Sequence, residues 1–251
     1  VGVSSNSELE RLIESKRESG VYLTILGFGM GNYKDSRFKG LSTKGNGNYA
    51  YIDNIMEAKK IFGHELWGTL YTIANDVKIQ IEFNPAEVKE YRLIGYEKRM
   101  LNKEDFNNDA KDAGDIGSGH TVTAIYELVL QDGSPSSLDI DELNYQTAKL
   151  VRSDDLITLK IRYKKPGQDV SRLITSKVTK KALINKHNTE NFALAVAVAE
   201  FGMLLRDSEF KANSSYDNVL KTLKTLKNKD EYGYRTELIS LVEKAKLLST
   251  I

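Results

Sequence analysis

The chain has 251 residues, a formal net charge of +1, 40% apolar and 28% charged residues, and no cysteine. That length allows one large or two modest domains. The near-neutral charge provides no field to gather nucleic acid or an anionic membrane, and the missing thiols exclude disulfides, thiol catalysis and cysteine-ligated zinc.

Residues 5–19 predict a first helix. Ser5 or Asn6 caps it, Leu9, Leu12 and Ile13 share one apolar face, and Gly20 ends it. The run 21–28, VYLTILGF, is apolar at nearly every position and reads as a strand covered on both faces. A Gly-rich turn at 29–32 leads to a helix over 35–44, with Asp35 as N-cap, and Gly45-Asn46-Gly47-Asn48 stops it. A short strand follows at 49–52. Asp53 caps a third helix, 54–66, whose inward residues are Ile55, Ala58, Ile61 and Phe62. Strand, helix, strand, helix in so short a span marks a parallel α/β unit.

From 67 to 178 the texture changes to strands. They are expected at 69–73, 77–83, 88–96, 120–130 (the longest), 156–163 and 170–178, the last two joined by Lys165-Pro166-Gly167-Gln168. Alternation puts Val77, Ile79, Ile81 and Phe83 inward and Lys78, Gln80 and Glu82 outward. Hairpin-type connections argue for an antiparallel sandwich. The segment 131–155, with its DGSPSS run, has loop composition. The chain ends in helices over 189–205, 216–226 and 235–248, within a helical tail 187–251. The apolar run FALAVAVAEFGMLL contains Glu200 and falls short of the roughly 20 residues a membrane span needs. No transmembrane segment is expected.

The stretch GFGMGNYKDSRFKGLSTKGNGNYAYID, residues 27–53, resembles the last strand–helix–strand–helix of a bacterial von Willebrand factor type A domain. The blocks DVKIQIEFNPAEVKEYRLIGYEKRML, DFNNDAKDAGDIGSGHTVTAIYEL, LKIRYKKPG and FALAVAVAEFGMLLRDSEFK resemble the C-terminal domain of unknown function that follows it in one envelope-associated subfamily. The resemblance implies an α+β chain. Residues 1–66 are the C-terminal part of a Rossmann-like A domain, and 67–251 are the family-specific domain, β-rich over 67–178 and helical over 187–251. It implies a non-enzymatic, adhesion-type module that binds a protein partner in the cell envelope, as a periplasmic protein or surface lipoprotein. The family's metal-ion site would lie upstream of Val1, so Mg²⁺ or Ca²⁺ belongs to a full-length A domain and no cofactor to this fragment.

The candidate sites are few. Gly27-Phe28-Gly29-Met30-Gly31 imitates a dinucleotide fingerprint, but Asn32 stands where a third glycine is needed, and a tight turn is the better reading. Asp132-Gly133-Ser134-Pro135-Ser136 spells Asp-x-Ser-x-Ser, yet follows the parallel unit instead of preceding it, which makes it a chance match. Asp105, Asn107 and Asp109 fall at the first, third and fifth positions of a calcium loop, with Asp112 and Asp115 adding charge. Ala110 and Ile116 replace the turning glycine and closing glutamate, so a solvated Asx-turn loop is favoured over a Ca²⁺- or small-ligand-binding accessory domain. His120 is placed to pair with Asp115, but no nucleophile accompanies them. Arg162-Tyr163-Lys164-Lys165 offers charge and stacking, and reads as a solvated strand edge. No catalytic or cofactor-binding residue is assigned.

Overall fold

The computed structural model of the chain describes residues 5–29, 35–96, 100–132, 153–184 and 189–249. It is a mixed α/β protein whose described strands form one parallel pair and two open antiparallel sheets. Two compact units divide the chain by spatial contact. One holds 1–80, 102–121 and 160–175, and the other 81–101, 122–159 and 176–251. This grouping follows contacts in space and does not break at 66/67.

In the first unit, α1 spans Asn6–Glu18, and the Ser5 hydroxyl caps it by accepting from the Glu8 amide at 3.4 Å. Strand β1, Ile25–Phe28, pairs in parallel with β2, Tyr49–Ile52, and α2, Asp35–Lys44, connects them. The expected strand at 21–28 is thus half as long. Val21, Tyr22 and Phe28 are exposed, because β2 is the one strand beside β1 among the described residues. The stop after α2 is as read: Asn46 takes φ 50°, and a Cβ on Gly47 would sit 1.8 Å from the Leu23 carbonyl oxygen.

The third helix departs from expectation. Asn54, not Asp53, caps it, its side chain accepting from Met56 and Glu57 amides. α3, Ile55–Lys59, passes into a π-helical stretch, Lys60–Glu65, and then α4, Leu66–Leu70. Six residues of wider turn rotate everything beyond them relative to an α-helical wheel. Ile61 is buried as read, whereas Ile55 is 80% and Phe62 47% exposed.

Strand β3, Thr72–Phe83, is the longest, and β5, Gly114–Gly117, pairs with it antiparallel. With β7, Asp155–Lys164, and β8, Arg172–Thr179, they form a sheet in the order β5-β3-β7-β8. The register of β3 shifts between Ala74 and Val77, where Asp76 takes φ 50°, a bulge. Just beyond it the expected alternation is reversed at two positions, Lys78 being 2% exposed and Ile79 46%, and it returns to the expected phase at Glu82, exposed, and Phe83, half-buried. The residues 102–111 cover the Lys78 face, and the Lys78 ammonium donates to the Asn108 carbonyl.

In the second unit, β4, Val88–Ile94, pairs antiparallel with β6, Ile125–Leu130. Phe83 packs on Tyr91 and Tyr126 at ring separations of 4.4 and 5.3 Å, inward as read. The strand expected over 120–130 starts only at Ile125. A short helix α5, Lys180–Ile184, precedes α6, Glu190–Leu205, α7, Tyr216–Thr225, and α8, Tyr234–Leu248. Thr189 and Ser215 cap α6 and α7. Ala197, Val219, Leu220, Leu223 and Val242 make the buried core of these three helices. Among the described residues no helix is long and apolar enough to cross a membrane.

Candidate functional site

The densest polar constellation in the first unit gathers around the loop 102–115. Its start is a 3₁₀ turn, Lys103–Asn107, which buries Phe106 against the guanidinium of Arg162. The oxygens that suggested a calcium loop are engaged by protein groups. Asp105 Oδ2 accepts from Asn102 and lies 3.9 Å from Lys111 Nζ. Asn107 Oδ1 accepts from Arg162 at 3.2 Å. Asp109 faces Arg162 at 3.7 Å and accepts from the Ser171 amide at 3.3 Å. The hydrogen bonds from Ser171, followed by the charges of Arg162 and Lys164, hold the Asp109 carboxyl below its ordinary pKa.

Two of these cations come from the segment read as a solvated edge. β7 is an interior strand, with β3 on one side and β8 on the other. Its Arg162 and Lys164 point at the loop, and Lys164 Nζ donates to the Asp109 carbonyl at 2.7 Å and to the Asp76 carboxylate. Cations of β3 and β7 therefore hold residues 107–109 from one side. A cation arriving from solvent would have to displace Arg162 from both Asn107 and Asp109. We expect that millimolar Ca²⁺ leaves the thermal midpoint of the chain unchanged, and that Asp109→Ala lowers it whether or not Ca²⁺ is present. A Ca²⁺-dependent rise that Asp105→Ala and Asp109→Ala abolish would restore the calcium reading.

The second half of the loop converges on Asp76, a residue that no local pattern singled out. Asp76 Oδ1 accepts from the Ala113 amide, and the Asp76 amide donates to Asp115 Oδ1, both at 3.1 Å. Asp112 lies beside Asp76 and 3.6 Å from Arg17 of α1. Burial pushes Asp112 and Asp115 upward, and for Asp112 the neighbouring Asp76 adds to it. Burial alone would raise Asp76 as well, but its bonds from Lys164 and the Ala113 amide outweigh that and pull it down. The Tyr22 hydroxyl is raised by burial and then by the same three carboxylates. Asp76 thus carries the charge, and Asp112 and Asp115 are the groups readier to hold a proton.

The remaining sequence candidates do not join this cluster. The His120 ring lies against Gly68 of α4, where an added Cβ would sit 2.4 Å from Nε2, and Asp115 is bonded to β3 instead. Gly29 is described, whereas Met30, Gly31 and Asn32 of the glycine turn lie outside the described residues, as do 133–136 of the Asp-x-Ser-x-Ser match. Among the described residues no group of three His, Cys, Asp or Glu is placed to hold a metal ion. The Lys78, Lys164 and Asp76 contributions were not legible in advance, because Lys164 stands 88 residues from Asp76 and 55 from Asp109.

A family model described as "Uncharacterized protein YfbK, C-terminal" matches residues 68–248, and the chain belongs to that family. It is similar to the uncharacterized protein YfbK of Escherichia coli (strain K12), at 43% identity over 249 residues. That match covers 98% of this chain and 42% of the relative, so the chain spans about two fifths of the length of the curated protein it matches. No solved structure matches.

Proposed function

We propose that the chain is part of a non-enzymatic, adhesion-type module of a bacterial cell-envelope protein, with residues 1–66 forming the C-terminal part of a von Willebrand factor type A domain. The order of strand, helix and parallel strand over 25–52 supports the A-domain reading, together with the blocks resembling that family. Any Mg²⁺ or Ca²⁺ of the adhesion type would be held by the full-length A domain.

One observation carries the interaction reading. Along 55–70 the buried positions are Ile61 and Gly68, while Ile55, Phe62, Trp67 and Leu70 are exposed to solvent. Trp67 stacks on exposed Tyr71 at 5.7 Å and widens this apolar surface. So many large apolar side chains left exposed along one short segment mark an interaction surface more often than a solvated one. The calcium-binding alternative is weaker, since the 105–109 oxygens already have cationic partners.

The test is capture of envelope proteins on the whole protein, with Phe62→Glu and Trp67→Glu as variants. A saturable protein partner lost by both variants, with an unchanged thermal midpoint, is the expected result. Retention that ignores both substitutions would sink the reading, as would a turnover assigned to purified protein.

A further inference from the structure

The last helix carries an apolar seam that its own fold uses only along the inner edge, through Leu238. α8 packs on α7 through Leu238, Ile239 and the fully buried Val242. Two ion pairs fasten one flank of α8 to α7: Lys224–Glu243 at 2.7 Å, and Lys246–Asp217. Around the helix from that flank, Tyr234, Leu238, Leu241, Ala245 and Leu248 recur at alternating spacings of four and three. This is the a/d repeat of a helix that packs along a second helix. Leu241 is 48% and Leu248 72% exposed, so the outer half of the seam faces solvent.

The flanking charges say what fits it. Glu237 and Lys244 border the seam on its solvent side at the g positions, both exposed, and neither makes an ion pair among the described residues. In an antiparallel pairing of two α8 helices, Leu238 of one copy meets Leu241 of the other. Tyr234 then meets Ala245, large against small. The same register brings Glu237 opposite Lys244 of the second copy, twice by symmetry, because antiparallel pairs bring g positions together. A parallel pairing would stack Tyr234 on Tyr234 and face Glu237 with Val242, which is already buried.

We infer that α8 is a self-association surface, through which two copies of this chain pair antiparallel about a two-fold axis. The contact is one short helix against another. Its small area makes the dimer weak and reversible, in the micromolar range. The inference is independent of the apolar surface over 55–70.

Sedimentation velocity of the whole chain over a concentration series tests it. The expected result is a monomer–dimer equilibrium that Leu241→Glu weakens more than about tenfold. Glu237→Lys alone should weaken it about fivefold, by setting like charges opposite one another, and Glu237→Lys with Lys244→Glu should return it to within about twofold of the starting chain. Leu241 and Glu237 lie outside the buried core, and circular dichroism of each variant checks that the helices remain. A chain that stays monomeric throughout overturns the proposal. So does association that survives Leu241→Glu, or a double charge reversal that fails to rescue, since either places the contact elsewhere.

Discussion

Gly117→Ala is expected to destabilise the protein by about 3 kcal/mol or more, a fall in thermal midpoint of about 6–12 °C for a chain of this size. A Cβ at Gly117 would lie 1.6 Å from the Gly68 carbonyl oxygen and 2.8 Å from the Gly68 Cα. Those are backbone atoms of α4, so no side-chain rotation relieves the overlap. α4 and β5 must separate, and with them the start of β3, because Gly117 pairs with Thr72. Gly114, at the other end of the same strand, provides the control. Nothing lies within 4 Å of its Cβ position, so Gly114→Ala should be nearly neutral. Thermal unfolding of the two variants side by side separates close approach from the general loss of a glycine. Equal effects would mean that α4 does not rest on β5 in solution.

That contact illustrates what the sequence could and could not show. Helix starts were legible because a cap is local: Ser5, Thr189 and Ser215 each lie within three residues of the amide they accept from. Strand, helix and parallel strand over 25–52 were legible for the same reason, through their glycine stops and apolar runs. The π-helical stretch at 60–65 has no local signature, and Phe62 within it is exposed. Reversal of the Lys78 and Ile79 faces depends on which side the 102–111 loop covers, a long-range fact. β5 escaped notice because Gly-Asp-Ile-Gly has little strand propensity, and Gly117 is required by its closeness to α4, a contact no local pattern shows. The acidic loop was visible as a pattern of oxygens, but its partners Arg162 and Ser171 arrive from more than 50 residues away. The acidic spacing alone suggested a metal where the fold supplies arginine and lysine.

Asp76→Ala is the second large effect we expect, about 2–4 kcal/mol. The Asp76–Lys164 pair is 16% and 15% exposed, and removing the carboxylate leaves the ammonium half-hidden with only the Asp109 carbonyl. The Ala113 amide loses its acceptor as well, and alanine tolerates φ 50° less readily than aspartate. Asp76→Asn keeps the acceptor and the backbone preference, so it should cost less than half as much. The pH dependence then separates the charges. Asp76 is depressed, so its contribution is present above the unfolded value of 3.8 and fades as pH falls through its folded value. Asp112 and Asp115 are raised, so stability falls as pH climbs from 3.8 through their folded values. Asp112→Asn removes one of those penalties. It should therefore raise the midpoint at pH 7 and leave it unchanged or lower near pH 4, flattening the profile. In Asp76→Asn the raised value of Asp112 loses its charged neighbour, and the acid limb of the profile should shrink with it. If Asp112→Asn instead lowered stability at pH 7 by as much as at pH 4, Asp112 would be an ionised partner of Arg17. The three carboxylates would then not share a proton-accepting cluster.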